Sequence, residues 1–204
     1  MNIALHAHDL GLSWVVDEPL MRASHALADG GRVWFIDPVD DPAAMEAAAG
    51  LGEPAGVLQL LDRHDRDCRA VAERLGVPRL KLPQTVPDSP FEAVPAGVLL
   101  PRWSEVALWW PAQRALVVAE VLGTSPHYTL DSGPVGIHAL LRLAPPGRLR
   151  HFAPEHLLTG HGPPLHGPQV AEEIEAAYAR SRHDIPKMAF KLARMGRAAG
   201  QALR

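Results

Sequence analysis

Short apolar runs, cut apart by turn residues, set the pattern of the first third of the chain. Residues 12–16 (LSWVV) and 32–36 (RVWFI) carry the β-branched and aromatic side chains of strands. Asp29-Gly30-Gly31 ahead of the second run is a turn signal, and Asp37-Pro38 closes it, because proline cannot donate to a ladder. Residues 41–49 read as a helix, with Asp41 in the capping position and Pro42 at the first helical one. Residues 56–61 (GVLQLL) predict a buried strand, 66–75 a helix stopped by Gly76, and 77–82 the next parallel strand, together a βαβ unit.

The middle of the chain loses its helical spacing. Residues 97–100, 105–110 and 115–118 predict three closely spaced strands, an antiparallel meander punctuated by Pro101 and Pro111. Farther on, 135–143 predicts a helix, 155–158 leads into a loop, and 168–182 predicts a strong helix. Strands mixed with helices in both halves predict an α/β fold, two sheets packed together with helices outside.

Composition narrows the function classes. A chain of 204 residues suits one domain, here 1–184, followed by a basic helix or tail at 185–204 that carries Lys187, Lys191, Arg194, Arg197 and Arg204. The formal net charge of -3 gives no general pull toward nucleic acid. The tail lacks a nucleic-acid motif and reads as a docking helix with a solvated face, so no nucleic-acid partner is expected. The chain opens without a basic start and apolar run, and no stretch of about 20 apolar residues suggests a membrane span. The single cysteine, Cys68, excludes an internal disulfide, and a cytoplasmic location is expected. His6, His8 and Asp9 read as part of a mobile terminus.

Chemistry concentrates in Asp62-Arg63-His64-Asp65-Arg66-Asp67-Cys68, between the predicted buried strand and its helix. Such strand-to-helix loops are where α/β folds place ligands. A charged turn with a few ion pairs is the plainer reading of the same residues.

This segment and three others resemble the metallo-β-lactamase-fold hydrolases. Their signature loop, His-x-His-x-Asp-His, falls here. Aligned on its aspartate, Arg63 and Asp65 replace the first two histidines, Asp67 is kept, and Cys68 replaces the last, which leaves His64 on a non-ligand position. Residues 105–122 resemble the strand pair that carries the family's metal-bridging acid, here Glu120. Residues 154–164 (PEHLLTGHGPP) resemble its late Gly-His-Gly motif, with His161 as the ligand. The opening as far as Ile36-Asp37-Pro38 resembles the strand before its first helix. The resemblance implies an αββα sandwich of two mixed sheets between helical layers.

It also implies a damaged metal centre. The family's third histidine should fall near Arg102-Trp103, where none exists, and arginine is never a ligand. Asp67, Cys68, Glu120 and His161 remain as ligands for one divalent ion, zinc, manganese or iron. Alternatively Arg63 or Arg102 supplies the missing positive charge to Asp65, Asp67 and Glu120, and no metal is held tightly. Arg63 is expected to contact Asp65 or Glu120, and its replacement by alanine to cost roughly 3 kcal/mol if the pair is buried. Arg63, Asp65, Arg102 and His127 are expected to line a cleft for a small molecule. Hydrolase activity is expected to be weak or absent, and a mono-metal hydrolase is the alternative.

Overall fold

The computed structural model describes residues 2–98 and 103–190. Its first sheet contains β1 (Ile3–His8), β2 (Gly11–Val16), β3 (Ala23–Asp29), β4 (Arg32–Ile36), β5 (Glu53–Gln59) and β6 (Arg79–Lys81), in that spatial order. The first four strands run antiparallel as a meander, and β4, β5 and β6 run parallel. The parallel pairs need crossovers, supplied by α1 (Pro42–Ala49) and α2 (Cys68–Leu75). Asp41 caps α1 by accepting from Ala43 N and Ala44 N, and Gly76 ends α2 in a left-handed conformation.

Burial on both faces explains why the strands of this sheet read as continuous apolar runs. Along β4, Val33 and Phe35 point toward α1 and α2, in a cluster with Trp14, Ala44, Ala48 and Val71. Trp34 and Ile36 point the other way, into the main core with Leu27, Leu58, Leu108 and Leu158.

The second sheet has the order β13 (Leu165–His166), β12 (His156–Thr159), β9 (Ala115–Val118), β8 (Ser104–Trp110) and β7 (Glu92–Val98). It too is mixed, because β12 lies parallel to β9 while the other neighbours are antiparallel. All four side chains of β9 are buried, so both faces of this sheet are covered. A two-stranded ribbon, β10 (Leu122–Gly123) with β11 (Gly136–Ile137), and the short α3 (Pro126–Thr129) bridge it to α4 (Val170–Arg180). Val170, Ile174, Ala177 and Tyr178 of α4 join the main core.

The expected strands and helices fall within a few residues of those observed, with three corrections. Residues 135–143 form no helix but β11 followed by a 3-10 turn, Ala139–Leu141. Their apolar residues come from burial of Val135, Ile137 and Leu141, and a short buried run does not separate strand from helix. Residues 155–158 are not the approach to a loop but belong largely to β12. The N-terminus is not a loose end, since β1 pairs along its length with β2. Beyond α4, residues 185–190 are helical, with Met188 N–H donating to Asp184 O, while Leu99, Leu100, Arg102, Lys191, Arg194, Arg197 and Arg204 lie outside the described residues.

One buried polar chain ties the sheets together. His25 on β3 is 1% exposed and donates through Nε2 to the Thr159 carbonyl on β12, at 3.1 Å. Its Nδ1 must then accept, and it takes the Ser13 hydroxyl at 2.7 Å. Burial, then the neighbouring His8, lower the His25 pKa to about 3. The unfolded chain therefore binds a proton here below about pH 6.5 that the folded chain refuses, and stability falls with pH across that window. Between pH 7 and pH 5 this one group should cost about 2 kcal/mol. Urea unfolding at both pH values should show that loss in the wild type and a smaller one in His25→Gln; equal losses would remove His25 as the cause.

Candidate functional site

The site forms where the two sheets open at the C-terminal ends of four strands. β4 delivers Asp37, the segment after β5 delivers Arg63 and His64, β9 delivers Glu120, and β12 delivers His161. Ligand sites at the C-terminal ends of parallel strands follow from the loops that gather there. The parallel register of β9 and β12, Val118 against Thr159, places Glu120 and His161 side by side.

Local backbone features fix each side chain. Glu105 on β8 is buried, and its carboxylate accepts from Ala119 N, Glu120 N and Val121 N at 2.9–3.2 Å, clamping the turn that presents Glu120. Burial pushes the Glu105 pKa up to about 7, and these N–H groups work against the rise. Gly160 lets the turn after β12 pass close by, because a Cβ there would lie 2.4 Å from Ala119 O and 3.0 Å from His64 Cε1. Gly162, at φ +101°, lets the chain leave His161 in a left-handed conformation.

His64, Glu120 and His161 are all buried and bring one potential ligand atom each within 4.8 Å of the others. His64 Nδ1 contacts Asp37 Oδ2 at 2.9 Å, and its Nε2 contacts Glu120 Oε1 at 3.0 Å. His161 Nδ1 donates to the Leu20 carbonyl at 2.9 Å. That bond leaves His161 Nε2 as the nitrogen facing Glu120, buried, without a hydrogen-bond partner, 3.6 Å from Glu120 Oε1. Both imidazoles thus have Nδ1 anchored on an oxygen and Nε2 turned to one carboxylate, which is how metal-ligating histidines are held.

The electrostatics follow from this crowding. Burial and the Arg66 guanidinium work against a charged His64, but Asp37 and Glu120 outweigh them and hold its pKa above the usual histidine value. An imidazole between two carboxylates donates from both nitrogens, so the proton on Nε2 stands where a cation would bind. Burial alone would raise the Glu120 carboxyl, yet His161, His64 and Arg63 hold it well below the ordinary carboxylate range. Arg66 donates to the carbonyls of Ala23, Asp37 and Gly160, bracing the loop from behind. His138 Nδ1 accepts from Leu140 N at 3.3 Å, so its Nε2–H faces Glu120 Oε2 at 3.7 Å. Burial lowers its pKa to about 4.

The sequence-derived residues fall differently. Glu120 and His161 lie in the cluster. Arg63 Nη2 contacts Glu120 Oε2, its guanidinium lies 4.0 Å above the Trp103 ring, and its side chain remains 42% exposed. Asp65 pairs instead with Arg79 and is largely exposed. Asp67 turns away and accepts from Asp40 N at 2.9 Å. Cys68 is the first residue of α2 and packs in the core behind the first sheet. Its thiol lies 3.5 Å from the His64 carbonyl, and burial pushes its pKa up to about 12, far from the thiolate a metal needs. His127 is half-buried on α3 beside Tyr128, whose ring stacks on His161 at 5.5 Å. It is His64, between the residues that an alignment anchored on Asp67 assigns as ligands, that joins Glu120 and His161 in the cluster. Asp37 and His138 also escape the sequence reading; a buried acid ending a strand was the available signal for Asp37.

No family model matches the chain, and no curated protein matches it in sequence. Solved structures do. The metallo-β-lactamase from Erythrobacter litoralis matches with TM-score 0.59 and 8% identity, covering 89% of this chain and 92% of that one. FIM-1 from Pseudomonas aeruginosa, in its mono-zinc form, matches at 0.57 and 11% identity over 89% and 97% of the two chains. TTHA1623, in a di-iron-bound form, matches at 0.55 and 19% identity over 82% and 96%. With two mixed sheets, α1 and α2 outside one and α4 closing the other, the chain has the metallo-β-lactamase fold.

Proposed function

We propose that this protein holds a single divalent cation, zinc, manganese or iron, at His64 Nε2, Glu120 and His161 Nε2, and uses the surrounding cleft on a small anionic molecule. The observation that carries this reading is the buried, unpartnered Nε2 of His161 facing Glu120. Two histidines and one carboxylate suit zinc in hydrolases and iron in open three-ligand sites. The mono-zinc FIM-1 and di-iron TTHA1623 support both choices on this fold. Among the described residues no second group of three histidine, cysteine or acidic ligands comes together, which favours one ion rather than a pair in the cleft.

When bound, such an ion acidifies water and polarises an ester, amide or phosphoester oxygen. Asp37 would hold the His64 ring in register, and Glu105 would hold the Glu120 turn. Arg63, half-exposed at the mouth and stacked on Trp103, would take the negative charge of the ligand, and the neutral His138 would offer a hydrogen bond from Nε2–H. With one ion and a competing guanidinium, hydrolysis should be weak, and efficient β-lactam turnover is not expected.

A second reading is favoured by the contacts of Glu120 with protonated His64 and with Arg63, which neutralise the carboxylate without metal. Elemental analysis of protein purified without a histidine tag decides between them. About one divalent equivalent per chain is expected; metal-free protein that takes up none from zinc, manganese or iron solutions would leave the cation-free cleft. Arg63→Ala should tighten binding roughly tenfold by removing a charge beside the ion. Its cost to stability should be about 1 kcal/mol rather than the value for a buried pair, because the side chain is 42% exposed.

A further inference from the structure

A second histidine cluster lies at the other end of β12. His156 and His166 face each other directly across the β12–β13 pair, with their Nδ1 atoms 2.8 Å apart. His8, at the end of β1, packs its ring 4.9 Å from that of His166. His6 shares the same face of β1, and Asp9 follows His8 in the hairpin turn.

The protons in this cluster can be placed by partner chemistry. The Thr159 carbonyl only accepts, so His25 carries its proton on Nε2, and its Nδ1 accepts the Ser13 hydroxyl proton. Ser13 Oγ, having given its proton, accepts from His8 Nε2 at 2.9 Å. His8 Nδ1 is therefore a bare lone pair, and it is buried without a hydrogen-bond partner. His166 Nε2 is likewise buried and unpartnered. The proton of the His156 contact can sit on either Nδ1; on His166 Nδ1 it leaves that residue's Nε2 a second lone pair.

The two rings, 4.9 Å apart between centroids, thus each present a buried, unpartnered nitrogen. We infer that His8 Nδ1 and His166 Nε2 form the core of a second site for a borderline transition-metal ion, of the copper(II), nickel(II) or zinc class. Imidazole is the donor those ions select. At a metal–nitrogen distance of about 2.0–2.1 Å, two rings on one ion at a roughly tetrahedral angle have centroids about 5 Å apart, close to the separation here. The Ser13–His25–Thr159 chain is the anchoring that metal-bound histidines receive through their second nitrogen. Water would complete the coordination, since no third ligand atom joins these two among the described residues. His156 precedes His161 by five residues, roughly 15 Å along an extended strand, which separates this site from the cleft.

The test uses the full untagged chain carrying Glu120→Ala, which weakens the cleft, titrated with copper(II) and followed by electron paramagnetic resonance. One equivalent should bind with nitrogen hyperfine lines and micromolar or tighter affinity. His166→Asn in that background should weaken binding at least 30-fold, and Ser13→Ala, which frees the His8 ring, by a smaller factor. If His166→Asn does not fold, the nitrogen lines and the Ser13→Ala effect still decide. Absence of a nitrogen-ligated copper signal in the Glu120→Ala protein overturns the inference. So does an unchanged signal in a folded His166→Asn protein, which would place the copper on the N-terminal strand alone. Because His64 and His161 remain in the weakened cleft, only the part of the copper signal that is lost in His166→Asn or weakened in Ser13→Ala is assigned to this second site, which separates it from binding in the cleft.

Discussion

Glu120→Ala should weaken divalent-cation binding in the cleft by about 100-fold or more. The carboxylate is the one anionic member of the ligand group and the point on which His64 Nε2, His161 Nε2 and Arg63 converge. Without it, two neutral nitrogens remain beside the guanidinium of Arg63, a poor environment for a doubly charged ion. Competition with a chromogenic chelator measures the change. Glu120→Gln is the informative companion, since it keeps the shape and removes the charge. It should lose most of the same affinity, and a cation bound equally well by all three proteins would show that Glu120 is not a ligand.

Asp184→Ala should destabilise the fold by about 3–5 kcal/mol. Arg142 is 2% exposed and Asp184 4%. The guanidinium lies 3.3 Å from Asp184 Oδ2 and also donates to the Tyr128 carbonyl. Asp184 further accepts from Ser132 at 2.9 Å and lies 3.6 Å from both Arg180 and Lys187. Removing the acid strands a buried guanidinium between two other cations, and burial already disfavours the charge on Arg142. Urea unfolding followed by tryptophan fluorescence reads the loss. A drop under about 1 kcal/mol would mean that water reaches Arg142 once the carboxylate is gone. The pair also joins the end of α4 to the segment carrying Tyr128, so the variant should loosen the wall against which His161 stacks.

What could be read in the sequence divides along physical lines. Strands β4, β5 and β9 were visible because both faces are buried, which forces unbroken apolar runs with turn residues at the ends. β1 and β3 were not. β1 sits at the edge with exposed side chains, and β3 (ASHALAD) buries small and polar residues that carry no strand signature. In the site, Glu120 and His161 were legible because a strand pair and a Gly-His-Gly turn place them, and the glycines have a steric reason to be there. The loop was misjudged. Its five charges look interchangeable in sequence, yet their destinations are set by distant partners: Asp40 N takes Asp67, Arg79 takes Asp65, and Asp37 takes His64. A one-residue shift in such a loop exchanges a ligand for a surface ion pair, and only the tertiary contacts decide.

The parallel pairing of β9 with β12 also bears on how the molecule assembles. His156 registers against Ala115, so the two ends of a long excursion through β10, α3 and β11 must meet before that ladder exists. Closing such a loop is slow relative to forming the neighbouring β1–β4 meander, whose contacts are local. Glu120 and His161 come together only with this closure. A chain that closes its local meander first brings Glu120 and His161 together late, so a cation supplied from the start should slow unfolding more than it speeds refolding.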